Sequence, residues 1–317
     1  MIYLPSYVKI QFCGHAILFH VFEQAYEISF DDEVQYISAR QLADTLVNKG
    51  SAECDETPFC EYLIENNLVF EHTGEFAPVS ELGSTGNAFY NRLFNIVNNQ
   101  WLLERGETPL ALALLEPEKH RGLLLGWTLE YFHVTRLAIT SLIGILGHNF
   151  SPALAALARD FVKEELFHER IMAKAFLDTP WNDAQVFASQ PLPSTQAYMD
   201  FLKDIAFRRP HSFFASLFFY EGDDEDMLMF SERIPDIPGF RRIRDSHLAH
   251  ARINVQGDHA NFSRHYFSEI SLLTHEQQNE ILDDMAYLNF LFYDMQDEIY
   301  TFYRDEQAVE ERLCINQ

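Results

Sequence analysis

Cations are scarce in this chain: 23 Lys and Arg stand against 48 Asp and Glu in 317 residues, a formal net charge of −25. A field of that sign repels phosphate backbones and anionic lipid headgroups, so no nucleic acid and no membrane surface is expected as a partner. Cysteine is sparse as well. Cys13, Cys54, Cys60 and Cys314 form no CxxC and no spaced framework, which excludes a disulfide scaffold and reads as reduced thiols in a cytoplasmic protein. Glycine is low, 13 against 28 Phe, which disfavours a turn-rich β fold. No apolar run approaches a membrane span. The opening MIYLPSYVKI lacks the basic leader and apolar block of a signal peptide.

What is present is core material, 47% apolar and 14% aromatic, enough for a large domain with or without a small one. From Val8 to Phe30, VKIQFCGHAILFHV and YEISF read as two or three short strands. SARQLADTLVNKG then has helical spacing, with Ser38 placed to cap its start and Gly50 to stop it. A second helix covers PFCEYLIENN, and LVFE returns as a strand. Residues 1–75 therefore form a small α+β unit. A Gly, Ser, Thr and Pro-rich stretch from His72 to Asn87 holds a linker, 76–86. Beyond it, 87–317 is a succession of long apolar-periodic segments punctuated by Pro and Gly, an all-α bundle.

The bundle holds an unusual stripe. At about 100° per residue, His247, His250, Asn254, Asp258, Asn261 and His265 share one helical face. Such a face either looks onto a metal inside the bundle or is a wet surface. Two Glu-x-x-His pairs, Glu130/His133 and Glu165/His168, lie nearby, and Glu221 ends a Phe-rich run. Residues three apart on a helix are neighbours, so each pair can serve one cation or bridge two. A carboxylate such as Glu221, if buried, needs a cation, a donor or an exit to solvent. Glu165, His168, Glu221, His250 and Asp258 together offer oxygen and nitrogen ligands without thiolate, a set suited to non-haem iron or manganese.

On these residues the chain resembles the haem-oxygenase-like diiron oxidases and oxygenases, whose fold is shared with TenA and PqqC. Members of that family carry a Glu and a His on one helix, a lone Glu on a later helix and a His-x-x-x-Asp-x-x-His run on the next. Glu165 and His168 match the first element, and Glu221 stands 56 residues after Glu165. His250 opens the third, but the family's aspartate falls on Asn254 and its last histidine on Gly257, with Asp258 and His259 just beyond. A bulge would re-register Asp258 or His259. The resemblance implies two ferrous ions, with manganese as a substitute, reacting with O₂ on an amino-acid-like, acyl or peptide-borne substrate in a biosynthetic pathway. It leaves Glu130, His133, His247, Asn254 and His259 as surrounding or alternative ligands. LADTLVNKG followed by FCEYLIENNLV resembles the PqqD-type winged helix, which implies a peptide partner for residues 1–75. A homodimer through that unit is the other expectation.

Competing readings are a cofactor-free oxidase of the PqqC kind, which holds its substrate with His and cations, and a non-catalytic interaction protein. A thiaminase-type reaction needs a nucleophilic cysteine in the bundle. Three of the four precede the linker and Cys314 is in the tail.

Overall fold

The computed structural model describes residues 2–4, 8–21, 24–49, 51–53, 57–66, 68–71, 83–97, 101, 105–219, 224–256, 261–304 and 306–314. Residue packing divides the chain into two units, Met1–Trp101 and Leu102–Gln317. The first begins with β1 (Ile2–Tyr3), β2 (Val8–Cys13), β3 (Ala16–Val21) and β4 (Gln24–Ser29). Next come α1 (Glu33–Lys49), β5 (Ser51–Ala52), α2 (Pro58–Glu65), β6 (Phe70–Glu71) and α3 (Gly86–Ile96). Strands β2, β3 and β4 form an antiparallel meander in which Ile10 faces Phe19 and Ile17 faces Ile28. The short strands pair in the order β5-β1-β6. Ile17, Phe19, Ala43, Leu46 and Leu63 close the core of this unit.

The start of α1 differs from the sequence expectation. The helix begins at Glu33, and Asp32 Oδ1 accepts from Val34 N–H at 2.7 Å. Ser38 lies inside it, because an aspartate was available nearly two turns earlier. Gly50 lies outside the described residues. Cys60 is disulfide-bonded and buried, so the reading of four reduced thiols does not hold for it, whereas Cys13 is free and exposed.

The second unit is helical. It runs α4 (Pro109–Leu114), α5 (Arg121–Ile145), α6 (Pro152–Glu164), α7 (His168–Ala173), α8 (Asp183–Ala188) and α9 (Pro193–Arg208). It continues with α10 (Pro210–Ser216), α11 (Asp224–Arg233), α12 (Arg241–Gln256), α13 (Phe262–Ser268), α14 (His275–Phe302) and α15 (Glu306–Cys314). Four of these, α4, α6, α9 and α10, carry Pro in the first turn, where its missing N–H costs nothing. Thr274 and Gln277 cap α14 reciprocally. None of the helices is long and apolar enough to cross a membrane among the described residues.

α5 is the axis of this unit. Its buried residues include consecutive runs from Gly122 to Gly126 and from Phe132 to Thr135, the signature of a helix covered on most sides. It packs against α7, α9 and α15. Gly126 admits the Tyr303 ring, and a Cβ there would overlap it. Gly126→Ala is therefore expected to destabilise the unit by about 1–3 kcal/mol through overpacking, read as a lower urea midpoint at unchanged m-value.

Candidate metal and substrate site

Glu165 and His168 were expected on one helix, and the structure breaks the helix between them. α6 ends at Glu164 with Glu165 as its C-cap, and Phe167 adopts φ 73° and ψ 12°, the left-handed region. A left-handed residue ends a helix because it turns the next N–H away from the preceding carbonyls. In a non-glycine residue it costs about 1–2 kcal/mol. Arg170 lies over the Phe167 ring at 4.6 Å, a contact that offsets part of this. The pair survives the break: Glu165 Oε2 is 3.0 Å from His168 Nδ1, and His168 is buried.

His250 joins them. Its ring meets that of His168 edge-on, with centroids 4.7 Å apart. Tyr131 Oη of α5 lies 3.4 Å from His250 Nδ1. When that Nδ1–H donates to the phenol, the lone pair sits on Nε2. Asn254, one turn further along α12, lines the same space. Three of the five expected ligands are thus brought together from the α6–α7 junction and α12. Glu221 and Asp258, with the alternative His259, lie outside the described residues.

The 247–265 stripe is not one helix. α12 ends at Gln256, Asn261 precedes α13 in a non-helical conformation, and His265 is exposed. His247 is buried, stacked on Trp127 at 4.6 Å and 12°, with Nε2 3.1 Å from Thr128 Oγ1. Thr128 donates its own proton to Leu124 O, so the imidazole must be the donor. Burial pulls its pKa down to about 3. This ring packs as a neutral member of an aromatic layer behind the site.

Glu130 and His133 form a separate cluster and line no part of the cavity beside Glu165. Glu130 accepts from Leu192 N–H at 2.9 Å and from Tyr303 O–H at 2.7 Å, with Arg312 at 3.8 Å. Burial raises its pKa despite these partners and Thr195. His133 Nε2 is 3.1 Å from Ser189 Oγ, which itself donates to Val186 O. Burial, with the charges of Arg136 and Arg312, lowers this imidazole to about 2. These two residues pin α5 to the α8–α9 turn and to the end of α14. Polarity and spacing did not separate such a role from a ligand role.

Beside Glu165 and His250 is a cavity of about 110 Å³ between α5, α6, α9, α10 and α12. Tyr131, Thr135, Ala138 and Ser141 face it from α5. Their spacing of three and four was visible in the sequence as a stripe of hydroxyl and small residues. It was not singled out.

No model of a protein family matches the chain, and no curated protein matches it. Among solved structures it is similar to a domain of unknown function with a heme oxygenase-like fold from Shewanella denitrificans OS217. The identity is 17%, the TM-score 0.49, and the match covers 69% of this chain and 90% of that one.

The donor chemistry fits an iron ion. Two ligands about 2.1 Å from one metal and at right angles are about 3 Å apart, the separation of Glu165 Oε2 and His168 Nδ1. Both ring nitrogens of His168 are buried with no hydrogen-bond partner among the described residues. Among the described residues no group of three or more His, Cys, Asp and Glu is placed to hold a metal ion, so a site would need donors from positions outside them.

Proposed function

We propose that the helical unit is a non-haem iron oxidase or oxygenase of the haem-oxygenase-like class, acting with O₂ on a small or peptide-borne substrate. Glu165, His168 and His250 would hold the metal, with Glu221 and Asp258 completing a site for one or two ions. The observation that carries the reading is that buried His168 lies 3.0 Å from Glu165 and meets the His250 ring at 4.7 Å, while Glu165 and His250 line a largely apolar cavity. Bound ferrous iron would supply the electrons that O₂ needs to attack an organic molecule. Tyr131 orients the His250 ring, as outer partners of ligating imidazoles do. The apolar walls keep water from the reacting end.

A cofactor-free oxidase acting on an anionic quinone precursor is disfavoured, because no Lys or Arg is among the described residues lining the cavity. For the first unit we propose a peptide partner, supported by a groove beside edge strand β4 lined by Phe30, Leu42 and Tyr62.

The test is anaerobic loading with ferrous iron, desalting and metal analysis. The wild-type chain should retain iron, and Glu165→Ala should reduce retention at least about tenfold. Absence of bound iron, or unchanged retention in Glu165→Ala, would overturn the proposal. O₂ consumption that survives a strong chelator would select the cofactor-free reading instead.

A further inference from the structure

The cavity has a distinct chemical character. Its walls are Val134, Leu142, Phe161, Met199, Leu202 and Phe213. Its volume, about 110 Å³, is somewhat below that of the roughly 150 Å³ engineered cavity that admits benzene. Among the described residues no Lys or Arg lines it. Two arginines on or beside the lining helices are engaged elsewhere. Arg136 donates to Phe187 O at 2.7 Å, and Arg209 pairs with Asp284 at 2.7 Å.

A carboxylate or phosphate lodged among those walls, away from the Glu165 and His250 end where the metal would sit, would have no Lys or Arg beside it. Burying such a charge unpaired costs several kcal/mol. Two of the lining hydroxyls are already used, since Thr135 donates to Phe132 O at 2.9 Å and Ser216 to Phe213 O at 2.6 Å. Ser141 Oγ and Asn254 Oδ1 have no hydrogen-bond partner among the described residues, and Ser141 is only 2% exposed. Those two atoms are suited to one neutral polar group.

We infer that the part of the substrate held in this cavity is an uncharged alkyl or aryl group, the size of a single ring or a short chain, carrying one neutral hydrogen-bonding function. This rests on the oxidase reading above and narrows its substrate class.

The experiment titrates the chelator-treated 317-residue chain with benzyl alcohol, benzoate and phenylglycine while the methyl resonances of Val134, Leu142 and Met199 are followed. Benzyl alcohol should shift these signals, and benzoate and phenylglycine should bind at least tenfold more weakly. Ala138→Leu, which fills the space, should weaken benzyl alcohol at least tenfold. If that variant does not fold, the ligand ranking on the wild-type chain decides alone. Equal binding of benzoate or phenylglycine, or shifts confined to methyls outside the cavity, would overturn the inference. Iron retention is read separately. Iron held without benzyl alcohol binding rejects the cavity assignment alone, and binding without iron rejects the metal reading alone.

Discussion

Glu130→Ala is expected to lower the stability of the helical unit by about 3–5 kcal/mol. The carboxylate accepts from the Leu192 N–H and the Tyr303 O–H in the interior, with Arg312 close by. Alanine would leave both donors and part of a cation unsatisfied, and each buried orphan costs about 1–3 kcal/mol. Glu130→Gln keeps the shape and one acceptor, so it should retain most of the stability. It also mimics the protonated acid that burial favours. Urea unfolding followed by circular dichroism measures both. A loss below about 1 kcal/mol for the alanine variant would show that the cluster relaxes or takes in water. Ferrous iron retention should be nearly unchanged in Glu130→Gln, since Glu130 belongs to a different cluster from Glu165 and His168.

Acidification should act through two other buried groups. His133 is lowered to about 2 and His247 to about 3, both first by burial. A folded-state pKa below the unfolded value of about 6.5 means stability that is fully present above that value and lost as pH falls toward the folded one. Between pH 7 and pH 5 the unfolded chain takes up nearly one proton per imidazole and the folded chain none. The loss is roughly 2 kcal/mol for each, or about 4 kcal/mol together. Glu130 works in the opposite direction, because its raised pKa favours the folded state at lower pH. The comparison that isolates His247 is therefore wild type against His247→Phe, which keeps the stack on Trp127. The variant should lose about 2 kcal/mol less over this interval. Identical losses would mean that His247 takes up a proton in the folded state.

The positions of the helices were largely legible. HRGLLLGWTLEYFHVTRLAITSLIGIL became α5 nearly end to end, and Pro152 and Pro193 each opened a helix, whereas Pro210 opened one inside a segment whose periodicity reads as continuous. These signals are local: apolar period and a missing N–H act within one turn. The break at Phe167 carried no Gly or Pro, so no local signal marked it. It is a conformation that surrounding packing imposes on a residue that would not choose it. The same reasoning covers α12 and α13, where the periodicity ran on past the end of the helix.

Histidine was the harder case. His247, His250 and His265 are equivalent in spacing, yet one stacks on Trp127, one meets His168 and one faces solvent. Likewise Glu130/His133 and Glu165/His168 share one spacing and serve different clusters. Which partner a polar side chain finds depends on helices distant in sequence, and the periodicity of a single helix carries no record of them.

By itself, the sequence determined that this chain has a small α+β unit ahead of a helical one, that its formal net charge is −25, and that Glu165, His168 and His250 belong among the residues worth testing. Those properties follow from composition and from interactions within one or two turns. Only the tertiary structure decided that His168 meets both Glu165 and His250, that Glu130 and His133 stand apart, and that no Lys or Arg is among the described residues lining the cavity beside Glu165. The physical reason is that burial and counter-charge are set by which surfaces of different helices come together.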